Sequence, residues 1–83
     1  MGSKLESKIQ QEIVDGFKKT GHFVVRLRSV DPAGIPDLLI IKDGVCKFIE
    51  VKRKGCDISP LQEFRIAQLE AFGIETLIIK GKE

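Results

Sequence analysis

Three ionisable residues are spaced so that a single strand hairpin would gather them. Asp37 follows Pro36 at the head of the apolar run Leu38-Leu39-Ile40-Ile41. Glu50 and Lys52 end a second run that begins at Val45, and being two apart they share one face of a strand. Between the runs stands Asp43-Gly44, a dipeptide that accepts the positive φ a two-residue hairpin turn needs at both positions. With those two as the loop, Lys42 faces Val45, and counting back sets Asp37 directly opposite Glu50. Cβ atoms so paired lie about 4.5–5.5 Å apart, and Lys52 falls on the diagonal.

Two carboxylates facing each other in a half-buried sheet repel and need a proton, a lysine or a metal to neutralise them. Lys52 supplies one positive charge. A divalent cation would supply the rest, and hard oxygen donors suit Mg²⁺ or Mn²⁺ rather than zinc. The plain alternative is two acids at wet sheet ends with an ordinary surface ion pair to Lys52. That alternative leaves Pro36-Asp37, and the register that joins the three, without a reason.

Further candidates come from the helices. Leu5, Ile9, Ile13, Val14 and Phe17 form an apolar stripe, and Glu6 and Gln10 fall inside it while Glu12 and Asp15 point away. Glu6 is thus the acid that needs a buried partner, unless it only serves the helix dipole in a fraying first turn. Ser59-Pro60-Leu61-Gln62 fits a capping box, which accounts for Gln62 without any role in chemistry; a place beside the acids is the alternative. His22 stands alone and reads as a surface or core histidine. Arg26 and Arg28 alternate along a strand, and Arg53 and Lys54 follow Lys52, so these four could hold a phosphate backbone. Lys18, Lys19 and Lys82 read as solvated charge.

These residues must be positioned by few elements. The periodicities predict a helix over 4–20 stopped by Gly21, then strands at 23–28, 36–42 and 45–53. A second helix begins at Pro60, with Leu61, Phe64, Ala67 and Ala71, joined by Leu69 and Phe72, as its apolar faces up to Gly73. A last strand spans 75–80. The order α-β-β-β-α-β describes one α/β domain over residues 1–83, a mixed sheet flanked by helices with the 36–53 hairpin at its centre. Met1-Gly2-Ser3 reads as a cloning remnant and carries no weight.

Composition sets the outer limits. There are 14 Lys and Arg against 12 Asp and Glu, a net charge of +2, which excludes a histone-like polycation. The run 38–41 is far too short to cross a bilayer, and no signal-like segment opens the chain, so a cytosolic location without membrane contact is expected. Cys46 and Cys56 match neither a zinc spacing nor a redox pair. A domain this small buries only about 60–65% of its unfolded surface. With neither disulfide framework nor structural metal, a homodimer is the expected source of further burial.

Gly34-Ile35-Pro36-Asp37-Leu38, Phe48-Ile49-Glu50-Val51-Lys52 and Ser59-Pro60-Leu61-Gln62 together resemble the VRR-NUC domains of the PD-(D/E)xK nucleases. Glu6, Ile9-Gln10 and Gly21 agree in type and spacing, so the resemblance covers roughly Leu5 to Ile79. It implies a restriction-endonuclease-like core and a Mg²⁺- or Mn²⁺-dependent endonuclease acting on DNA. Glu6, Asp37 and Glu50 would be metal-site acids, the Val51 carbonyl a further ligand, Lys52 the catalytic lysine and Gln62 the helix glutamine beside them. The minimal length resembles the stand-alone, phage-type members, which implies a homodimer cutting branched DNA such as four-way junctions and leaving 5′-phosphate ends. The alternatives are another nuclease of the same core, archaeal-resolvase, flap or restriction-like, and a non-catalytic nucleic-acid-binding module.

Overall fold

The computed structural model describes residues 4–81, with Lys4 and Leu5 as backbone only; the readings placed on Met1–Ser3, the Leu5 side chain and Lys82 lie outside it. Helix α1 (Lys4–Lys19) is followed by β1 (Phe23–Arg26), β2 (Leu38–Lys42), β3 (Val45–Lys52), helix α2 (Pro60–Ala71) and β4 (Glu75–Lys80). The strands form one sheet in the order β1-β2-β3-β4, so the hairpin is central as expected. The first three are mutually antiparallel, and β4 runs parallel to β3. A parallel neighbour requires a crossover, and α2 provides it.

Helix α1 buries its stripe. Ile9 and Val14 pack with Leu38, Ile40, Ile49 and Val51 in the core, with Ile13, Phe17, Val24, Leu77 and Ile79 around them. Its end is tied off by two reversed bonds, Gly21 N–H to Lys18 O and His22 N–H to Phe17 O, with Gly21 at φ +85°. His22 packs edge-on against Phe17, its Nδ1 3.0 Å from Thr20 Oγ1, a structural histidine.

The hairpin register is the one counted from the turn: Lys42 pairs with Val45 and Leu38 with Ile49. Asp43 and Gly44 both have positive φ, +52° and +77°. Strand limits differ from the sequence reading. Strand β1 stops at Arg26 rather than Arg28 because, after Leu27 N–H bonds Asp37 O, Ser29 at φ +51° turns the chain away. Strand β2 begins at Leu38 rather than Pro36, since proline has no N–H for the ladder.

The larger correction concerns α2. Its buried side is formed by Ile66 and Leu69 with the polar Gln62 and Arg65, whereas Phe64, Ala67, Ala71 and Phe72 point outward and Leu61 lies half exposed against Gly34. The helix packs chiefly against β4. The sheet face opposite α1, carrying Val25, Leu39, Ile41, Cys46 and Phe48, is therefore only half-buried. Among the described residues no helix is long and apolar enough to cross a membrane.

Candidate active site

Where β2 has not yet begun, β3 still presents the Val51 N–H toward it. The Asp37 carboxylate takes that donor, Oδ2 to N at 2.9 Å. Asp37 is thereby held at both ends, its carbonyl by Leu27 and its side chain by β3. Glu50, one residue earlier on β3, is a charged residue only 2% exposed. Its Oε2 accepts from Gln62 Nε2 at 3.2 Å and lies 3.9 Å from Lys52 Nζ. Its Oε1 is buried without a hydrogen-bond partner.

That environment disfavours charge on Glu50. Burial raises its pKa from 4.5 to about 8, with the Asp37 charge adding to the rise, Lys52 opposing it and Glu6 contributing least. A proton held toward Asp37, or a cation, would satisfy the orphaned oxygen. The sequence-derived repulsive pair is thus present, and Lys52 opposes the rise without cancelling it.

Gln62 does both things the sequence offered as alternatives. Its Oε1 accepts the Ser59 N–H at 2.8 Å, and its own N–H donates to Ser59 Oγ at 3.2 Å, completing the capping box. With the amide oxygen committed to the cap, the amide nitrogen is turned to Glu50. Capping therefore orients the side chain for the site.

These groups line one cleft of about 450 Å³ with Glu6, Ser7, Gln10, Arg26, Leu27, Arg28 and Val51. Glu6 arrives on α1 as the helix wheel required. Arg26 is half-buried and donates to Gln10 Oε1 at 3.2 Å and to Gln11 Oε1, fastening α1 to β1. Arg28 is exposed at the rim. Arg53 and Lys54 do not line the cleft: Arg53 is half-buried in the loop after β3, and Lys54 is exposed there. The sequence reading did not assign Ser7 or the Arg26–Gln10 bond. A polar Gln10 inside an apolar stripe was the available sign of the latter.

A divalent ion fits part of this set. Asp37 and Glu50 offer hard oxygens, and one of these is buried and unsatisfied. Among the described residues no three His, Cys, Asp or Glu side chains are gathered as a metal-holding group, and Glu6 lines the same cleft as the pair. Mg²⁺ commonly uses only one or two carboxylates and completes its shell with water and substrate phosphate.

The sequence matches the VRR-NUC domain family over residues 3–83. This chain belongs to the VRR-NUC family. A solved VRR-NUC domain superposes with a TM-score of 0.81 at 26% identity, over 95% of this chain and 86% of that one. A second VRR-NUC domain protein gives 0.77 at 20% identity, over 98% and 81%. The Holliday junction resolvase Hjc of Archaeoglobus fulgidus gives 0.72 at 19%, over 89% of this chain and 66% of its own. Among curated proteins none matches the sequence. The VRR-NUC fold is thus the restriction-endonuclease-like core expected, and its family is one of nucleases.

Proposed function

We propose that this VRR-NUC domain is a divalent-metal-dependent DNA endonuclease that hydrolyses phosphodiester bonds at branched DNA, four-way junctions above all, as a homodimer. The observation that carries the reading is the buried Glu50 beside Asp37, with one oxygen unsatisfied in a cleft that also holds Lys52 and Gln62. Asp37, Glu50 and the Val51 carbonyl would hold Mg²⁺ or Mn²⁺, with Glu6 joining from α1. When bound, such an ion supplies a Lewis acid and lowers the pKa of its water.

The chain's own residues do the rest. Gln62 holds Glu50 Oε2 and leaves Oε1 for the ion. Lys52, largely buried beside Glu50, orients the attacking water and opposes the negative charge that grows on the phosphoryl oxygens. Arg28, exposed at the cleft rim, meets a phosphate, and Arg53 and Lys54 extend that track from the end of β3. Arg26 is committed to α1 and serves DNA from a fixed position.

The likeness to a Holliday junction resolvase supports the branched substrate. The dimer rests on apolar surface: Phe23, Phe64 and Phe72 are 66%, 60% and 83% exposed. Two symmetric cuts also require two sites, and each chain offers one.

The deciding experiment incubates purified protein with a four-way junction, a flap, a duplex and a single strand, in Mn²⁺ or in EDTA. Junction cleavage in Mn²⁺ and none in EDTA is expected. Cleavage that persists in EDTA, or none on any substrate, overturns the reading; preferred flap cutting overturns its junction half. Lys52→Ala should lower cleavage by about 10²-fold or more while junction binding persists. Asp37→Ala and Glu50→Ala should lose cleavage and Mn²⁺ binding together.

A further inference from the structure

The two acids are carried by separate stretches of chain, and α2 touches both. At its N-terminus Gln62 donates to Glu50 on β3. One turn later, on the same side of the helix, Arg65 Nε donates to Ala33 O at 2.9 Å. Ala33 opens the segment Gly34-Ile35-Pro36 that delivers Asp37, and Pro36 within it is fully buried. Gly34 lies so close to the helix that a Cβ there would come within 3.0 Å of Leu61 Cγ and 3.2 Å of Leu61 O, at a φ of +85°. The guanidinium is itself held in place: its Nη1 donates to Gln68 Oε1 at 2.6 Å, and it lies over the Phe64 ring, 5.5 Å from the centroid.

We propose that Arg65 is a positioning residue for the reaction: through Ala33 it fixes the Asp37 segment to the same helix that fixes Glu50 through Gln62, so that α2 sets the spacing of the two carboxylates. The inference rests on the metal-dependent reading of that site. Its physical content is pre-organisation. Two like charges drift apart unless both backbones are held, and a cation binds them more tightly when their separation is already set. The guanidinium of Arg65 is engaged by Ala33, Gln68 and Phe64.

The test measures Mn²⁺ binding by titration calorimetry and junction cleavage under steady-state conditions. Arg65→Met keeps the stem against Gly34 and removes the donors. It should bind Mn²⁺ about 10-fold more weakly, as outer-shell losses do, with kcat reduced and KM for the junction unchanged. Arg65→Lys, which can still donate to Ala33 O, should recover most of both. Gln68→Ala leaves the Ala33 bond and should weaken Mn²⁺ binding less than Arg65→Met does. A folded Arg65→Met with wild-type Mn²⁺ affinity overturns the inference, as does a loss confined to KM, which would mark a phosphate contact.

Hydrogen exchange on the wild type keeps the test independent of that variant's folding. Mn²⁺ should protect residues 33–37 and 61–65 together with 49–52, and protection confined to β3 overturns the coupling. A wild type that neither binds Mn²⁺ nor cuts DNA sinks the proposed function itself. A wild type that does both, beside an unaffected Arg65→Met, sinks only the role of Arg65.

Discussion

Glu50 is where burial and charge conflict most directly, and the conflict has a measurable sign. Its pKa stands near 8 in the folded chain against an ordinary 4.5. Between those values the folded state keeps a proton that the unfolded state releases, so metal-free stability from this group falls as pH rises from about 4.5 to 8. Melting in EDTA should show that decline, and Glu50→Gln should remove it and be the more stable protein at pH 8. A wild type and variant with parallel pH profiles would contradict the raised pKa. The convergence of Asp37, Glu50 and Lys52 was legible in sequence because register propagates from the Asp43-Gly44 turn with a period of two. The role of Gln62 was only half legible. An amide has two ends, and the pattern that revealed the cap gave no view of what its nitrogen would meet across the fold.

Helix α2 shows where pattern reading gives the wrong side. Counting apolar residues selects Leu61, Phe64, Ala67, Leu69, Ala71 and Phe72, yet of these only Leu69 turns inward, beside Ile66, Gln62 and Arg65. The inward polar residues are satisfied by specific partners, Glu50 and Ala33 O, and no periodicity encodes those. Helix α1 also turns a polar residue inward, Gln10 toward Arg26, but its wheel already holds Gln10 in the stripe with Ile9, Val14 and Phe17, and Glu6 lines the cleft. The dual use of Gln62 separates cap from site. Ser59→Ala removes the Oγ acceptor and should cost about 1 kcal/mol of stability. It leaves the Ser59 N–H that holds the Gln62 amide, so cleavage at 25 °C should stay near wild type. Gln62→Ala should lose similar stability and most of the cleavage. Equal activity losses in the two variants would show that only the cap matters.

At the scale of the molecule, the outward apolar residues of α2 and the half-buried sheet face opposite α1 both leave apolar surface to cover. A second copy related by a two-fold axis would meet it with the same residues on both sides. Light scattering should give about twice the chain mass for the wild type. Phe64→Asp combined with Phe72→Asp should give the single-chain mass, with the circular dichroism of the folded protein. A wild type of single-chain mass at micromolar concentration would place the cover elsewhere. Cleavage by the monomeric variant should then be reduced to unpaired nicks, since each chain carries one Asp37/Glu50 cleft.

The two-residue turn at Asp43-Gly44 has a consequence in time as well as in space. It makes the contact between the acid-bearing strands the most local in the sheet, whereas β4 must return through a helix before Gly81 N–H can bond Lys52 O. Short loops close first and long ones later. The two carboxylates therefore meet while still in water, and they lose their hydration only when α2 and β4 arrive. Repulsion is then expected to sharpen late, after the hairpin has closed. A divalent cation should then leave the refolding rate nearly unchanged and act on the return path, slowing unfolding. Stopped-flow traces with Mn²⁺ and with EDTA would display this as coincident folding limbs and separated unfolding limbs.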